Sequence, residues 1–104
     1  MILLTNNYSG SNAEIFAEGF RRLKLGKIVG EPTGSSVIGT GEYILIDGQR
    51  IRRPSWGAYT MDREDTDLLP RRPDIFVENL PDDFINGRDP QLVRAVSELM
   101  QELK

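Results

Sequence analysis

Three short stretches of the 104-residue sequence hold side chains that could do chemistry. The first is Ser9-Gly10-Ser11-Asn12-Ala13-Glu14, which joins an apolar run to a helical pattern. A serine at a helix amino terminus sits where the helix dipole is positive and free N–H groups converge. If Ser11 attacked a carbonyl, the oxyanion formed would meet such donors, including the backbone N–H of Asn12. The commoner role for such a serine is a plain helix cap. Ser11 and Glu14 have the spacing of a capping box, in which each side chain satisfies a free backbone donor of the first turn. The second stretch is Gly34-Ser35-Ser36. Gly-rich turns can cradle phosphate, but no Gly-Lys-Ser/Thr sequence follows and no helix is predicted there, so a plain turn is expected. The third holds Asp62, Glu64, Asp65 and Asp67, which could supply a carboxylate or bind calcium. It lacks the glycine and the closing glutamate of a calcium loop, and a solvated charged loop is the simpler reading.

Several chemistries are excluded by count. With no cysteine there is no disulfide, thiol nucleophile or thiolate metal site, although this leaves the compartment open. With no histidine, a Ser–His–acid mechanism cannot be completed within these residues. The net charge of −3, with basic residues scattered or in short pairs and in no run, argues against a nucleic-acid binder. No apolar stretch approaches the roughly 20 residues of a membrane span, and Met1-Ile2-Leu3-Leu4 is too short for a signal peptide. The length suits one small domain with a thin core.

The elements that must position these residues can be read from spacing. Ile2 to Leu4 predicts a buried strand ending in the turn Thr5-Asn6-Asn7. Ala13, Phe16, Phe20 and Leu23 predict a helix over roughly 12–24, with Gly26 just past its end. Ile28-Val29-Gly30 predicts a second strand. Asp47-Gly48 between Tyr43–Ile46 and Gln49–Ile51 predicts a hairpin. Trp56 to Tyr59 and Asp74 to Val77 predict further strands, and Pro81 to Gly87 a connector. Asp89 and Pro90 open a helix over roughly 90–103, with Leu92, Val93, Val96, Leu99, Met100 and Leu103 as one apolar stripe. The whole predicts a mixed α/β layered architecture. An opening strand that is apolar on both faces needs cover on both sides, which leads us to expect a partial domain.

The segment Thr5 to Phe16 resembles the nucleophile segment of tricorn-type peptidases, within the tail-specific (C-terminal processing) peptidase family. Leu25 to Gly34 is similar to that family's next block, a strand entering a Gly/Thr turn. Asp47-Gly48, Pro73-Asp74-Ile75 and Gly87-Arg88-Asp89-Pro90-Gln91-Leu92 follow in the family's order. The resemblance implies a ClpP/crotonase-like α/β fold, a spiral of ββα units. Residues 1–104 would form its partial, nucleophile-bearing C-terminal half. It implies a serine endopeptidase acting on peptides or unfolded proteins, a homo-oligomer, and no cofactor. It also implies Ser11 as nucleophile and the Asn12 N–H as oxyanion donor.

In the family's Ser–Lys branch the base lies in a Thr-x-Gly-Lys-Gly turn; here Ser36 occupies the lysine's place. The resemblance therefore implies the tricorn-like branch, whose base is a histidine in a segment these residues do not contain. Register from Pro73-Asp74 places that branch's supporting carboxylate at Asp67, with Glu64 and Asp65 as rivals. The family's glycine after this acid is missing from Asp67-Leu68-Leu69-Pro70. Asn12 replaces the aspartate with which the tricorn type favours basic substrates, so that preference is not implied. The alternative is a non-catalytic peptide-binding or assembly module on the same fold. An acyl-CoA enzyme of the crotonase type would require a CoA site, which the sequence does not offer.

Overall fold

Residues 1–104 are described by a computed structural model. The elements run β1 (Ile2–Thr5), α1 (Asn12–Arg22), β2 (Lys27–Gly30), β3 (Ile38–Ile44), β4 (Arg50–Gly57), β5 (Ile75–Phe76), α2 (Pro81–Ile85) and α3 (Pro90–Glu102). Strands β1, β2 and β5 form a parallel sheet in that order, with Ile2 opposite Lys27, Thr5 opposite Gly30 and Val29 opposite Ile75. Parallel strands need a crossover, and α1 provides it between β1 and β2.

The expectation of a buried β1 is met only in part: Ile2 and Leu3 are half-buried and Leu4 is 41% exposed. Leu3 packs on the buried cluster of Ala17, Phe20 and Ile28, while Ile2 and Leu4 line a groove with Leu92 and Val96 of α3. Alternation along the strand thus places α1 on one face of the sheet and α3 on the other. Helix α3 is tied to β2 by a charge pair as well. Lys27 Nζ donates to Glu98 Oε2 at 2.8 Å, and Arg94 holds the other oxygen of that nearly buried carboxylate. The Lys27 ammonium, then burial and Arg94, act on Glu98 with the net result that its carboxyl lies below the usual range. Asp89 caps α3 by accepting from the Leu92 N–H at 3.0 Å.

Several boundaries differ from the sequence expectation. Helix α1 ends at Arg22, and Lys24, not Gly26, takes the left-handed position past its end, with φ 53°. The Leu25 N–H then reaches back to the Phe20 carbonyl, the closing bond of a Schellman motif. The Asp47-Gly48 turn is present, with Gly48 at φ 83°, but the hairpin is longer than predicted. Strand β3 starts at Ile38, and Trp56 belongs to β4 instead of opening a new strand. The connector after Pro81 contains the short helix α2, started by Pro81 and by Asp83, which accepts from the Leu80 N–H. The apolar stripe of α3 is not buried: Leu92, Val93, Val96, Leu99, Met100 and Leu103 stay 39–75% exposed. Gln91, Ala95 and Glu98 are the buried residues of that helix, because the sheet beneath it offers only the narrow surface of β1 and β2.

Candidate active site

The turn between β1 and α1 is fixed by its own side chains. Asn6 Oδ1 accepts from the Tyr8 N–H, and Ser9 Oγ accepts from the Asn6 N–H. The chain then enters α1 through Ser11 at φ 54°, ψ −116°. This backbone region is sparsely populated for any residue with a Cβ and costs on the order of 1–3 kcal/mol. The capping box expected from the sequence is only half made. The Ser11 N–H donates to Glu14 Oε2 at 3.0 Å, but the Ser11 hydroxyl caps nothing. A capping serine needs an extended backbone to turn its oxygen toward the first-turn N–H groups. At φ 54° the hydroxyl is released from that task. The Asn12 N–H is likewise free of any backbone or side-chain partner, as expected for the first turn of a helix.

Glu14 has a role the sequence did not reveal. Its side chain is 0% exposed. Oε1 accepts from the Thr33 hydroxyl at 2.6 Å and the Ser35 N–H at 2.8 Å; Oε2 accepts from the Ser36 N–H at 2.8 Å as well as from Ser11. Burial alone would push this carboxyl up. The hydrogen bonds from Thr33, Ser36, Ser35 and Ser11 together outweigh burial and hold it below the usual carboxylate range. The turn Thr33-Gly34-Ser35-Ser36 therefore directs its Ser35 and Ser36 N–H groups and its Thr33 hydroxyl at a protein carboxylate, while the Thr33 and Gly34 N–H groups bond the Arg71 and Ser9 carbonyls. The only signal in the sequence was the Ser11–Glu14 spacing, which pointed to a local cap.

Ser11 and Asn12 open onto a pocket of about 490 Å³, whose other walls are Ile15 of α1, the segment Ser36 to Thr40, and Arg52, Trp56 and Ala58. The candidate acids separate clearly around it. Asp67 Oδ1 accepts from the N–H of Val37, a pocket residue, at 3.1 Å. Asp65 accepts from the Asp67 N–H, and Asp62 and Glu64 reach out to Arg22 on the surface. Asp67 thus bonds to the segment beside Ser11 and not to Ser11 itself. The glycine missing after this acid is replaced by Leu68 in the left-handed region, φ 59°. No group of three or more carboxylates stands together to hold a metal ion, and no helix is long and apolar enough to cross a membrane.

A parallel sheet feeding a strained serine into a helix start, beside a pocket, defines a mixed α/β protein. Comparison with known proteins makes this specific. The sequence pattern of Peptidase family S41 matches residues 1–77. The chain is 35% identical over 106 residues to the Tricorn protease of Thermoplasma acidophilum, covering 100% of this chain and 10% of that protein. It is 33% identical over 108 residues to a Tricorn protease homolog of Saccharolobus solfataricus, covering 99% of this chain and 10% of the relative. The crystal structure of the tricorn protease superposes with a TM-score of 0.89 at 34% identity, over 98% of this chain and 10% of that one. The photosystem II D1 C-terminal processing protease shares the fold, with a TM-score of 0.63 at 23% identity over 74% of this chain and 20% of its own. The chain therefore belongs to Peptidase family S41, a serine peptidase family, as a tricorn-like member. It spans about a tenth of the length of the curated relatives it matches.

Proposed function

We propose that residues 1–104 are the nucleophile-bearing C-terminal part of a catalytic domain with the ClpP/crotonase-like ββα spiral. The domain would be a serine endopeptidase that cleaves peptides or unfolded proteins and works as a homo-oligomer. The observation that carries this reading is Ser11: a strained backbone at a helix start, with a hydroxyl that does no structural work and faces a pocket. Strain held in place by its surroundings is a mark of functional positions. In the proposed reaction Ser11 Oγ adds to the scissile carbonyl while its proton passes to a histidine from outside these residues. The Asn12 N–H meets the oxyanion. The amine leaves with that proton, and water then releases the acyl group from Ser11. Asp67 supports the site through the Val37 backbone.

Because the histidine must come from elsewhere, the 104-residue chain alone should hydrolyse no peptide. In the complete catalytic domain, Ser11→Ala should lower turnover by on the order of 10⁴ to 10⁶. Its stability should change by less than about 0.5 kcal/mol, since no cap bond is lost. Ser11→Gly should abolish turnover too, yet gain up to about 1 kcal/mol by relieving the backbone. Turnover that survives either substitution removes Ser11 from the chemistry. A complete domain with no turnover at all would make the non-catalytic module the correct reading.

A further inference from the structure

The pocket beside Ser11 contains one charged side chain, Arg52, and one large aromatic, Trp56, both from β4. Strands β3 and β4 carry three arginines, Arg50, Arg52 and Arg53, against one carboxylate, Glu42. Glu42 stands opposite Arg52 in the ladder, yet its carboxylate is taken by Arg50 at 2.6 Å. Arg52 has no ion-pair partner. A cationic arm in a chain of net charge −3, with Arg52 unpaired and lining the pocket, is a disposition that attracts anions.

Trp56 is held there by design of the strand. A Cβ on Gly39, its cross-strand partner, would lie 1.9 Å from the indole ring. Only glycine at 39 lets the ring lie over β3. A register shift between Gly39 and Thr40 bends the hairpin at the same point, as bulges next to sites do. The indole nonetheless stays 62% exposed, available to a ligand. The remaining walls near Ser11 are neutral: Asn12 and Ser36 offer amide and hydroxyl groups, and no carboxylate lines the pocket.

We propose that this pocket selects peptides bearing a carboxylate next to the residue presented to Ser11, with Arg52 binding the carboxylate and Trp56 covering the neighbouring apolar stem. The proposal rests on the reading of Ser11 as the nucleophile and names its substrate class. The carboxylate can be an aspartate or glutamate side chain, or the terminus of the substrate. A lysine or arginine at that place would meet Arg52 with like charge and no compensating acid.

Trp56 is the sole tryptophan, so its fluorescence reports binding in the 104-residue chain without turnover. The probes are acetyl-Ala-Ala-Glu-Ala-amide, its Gln and Lys counterparts, and acetyl-tri-alanine with a free or amidated terminus. The Glu peptide or the free-terminus peptide should bind about fivefold more tightly than its neutral counterpart, the scale of one partly exposed charge pair. Preference for the Glu peptide assigns the side chain as the source; preference for the free terminus assigns the terminus. Arg52→Gln should erase the preference, and Arg52→Lys should keep part of it. Equal binding of the Glu, Gln and Lys peptides together with equal binding of the free and amidated tri-alanine, a preference that survives Arg52→Gln, or no response to any peptide overturns the proposal. Because the titration reads binding alone, a lost preference leaves the chemistry of Ser11 standing, and an unreactive Ser11 leaves a measured preference standing.

Discussion

Glu14 is the residue on which the site turns. One carboxylate holds the N–H of the nucleophile candidate and the N–H groups of Ser35 and Ser36, so the Ser11 backbone and the facing pocket wall share an anchor. Glutamine cannot replace it. An amide offers one acceptor oxygen, and its NH₂ would face either the Ser35 N–H and the Thr33 hydroxyl or the N–H groups of both Ser36 and Ser11. Glu14→Gln should therefore cost about 3 kcal/mol, read as a shift of the urea midpoint. The pH dependence follows from the direction of the shift. The folded-state pKa lies below the ordinary 4.5, so the stabilisation is complete above the usual carboxylate range and is lost as pH falls through the lower, folded value. The gap in stability between wild type and Glu14→Gln should thus be widest near neutral pH and narrow below about pH 4. A gap that stays constant down to pH 3 would mean that Glu14 titrates alike in the folded and unfolded chain, with no lowering of its pKa.

Among the elements, the turn after Asp67 is the one whose sequence and geometry disagree. Leu68 adopts φ 59° although it carries a branched, exposed side chain. A left-handed leucine costs roughly 1–2 kcal/mol, partly offset by the greater freedom glycine would have in the unfolded chain. Leu68→Gly should raise stability by about 0.5–1 kcal/mol in a denaturant titration and leave the Asp67–Val37 bond intact. A loss of stability would show that Leu68 makes contacts worth more than its backbone strain. This turn also shows where reading from sequence stops. The missing glycine looked like a departure from the family pattern, yet the backbone keeps the left-handed turn with leucine. Strands β1 and β2 and helices α1 and α3 were legible because apolar spacing and caps such as Asp89 are local signals. Helix α2 was not, since Pro81-Asp82-Asp83-Phe84-Ile85 is one turn long and its apolar residues stay exposed. The start of β3 was hidden by Gly39 and Gly41, which weaken any strand pattern. The positions of Ser11 and Asn12 at a helix start were legible. The second role of Glu14 was not, because its partners lie 19 to 22 residues away.

As a whole the chain is flat and open. It measures 60 × 39 × 17 Å with a radius of gyration of 17.2 Å, against about 13 Å for a compact domain of this length. Its accessible surface is 7730 Å², where a compact monomer of this mass would show about 5900 Å². Many large hydrophobic side chains are exposed, and the groove of about 300 Å³ between β1 and α3 is lined only by hydrophobic residues. The folded chain should therefore enhance the fluorescence of the dye ANS. Val96→Lys should reduce that signal with little change in helical circular dichroism, since Val96 is half exposed. A wild-type chain that leaves the dye dark would show that the groove is closed in solution. The anchoring of Ser11, Ser35 and Ser36 on one carboxylate has a kinetic consequence as well. Their amide protons come from two segments more than twenty residues apart, yet none can meet solvent until the same carboxylate lets go. In deuterated buffer the three should exchange with one common opening free energy, as a single latch instead of two independent loops.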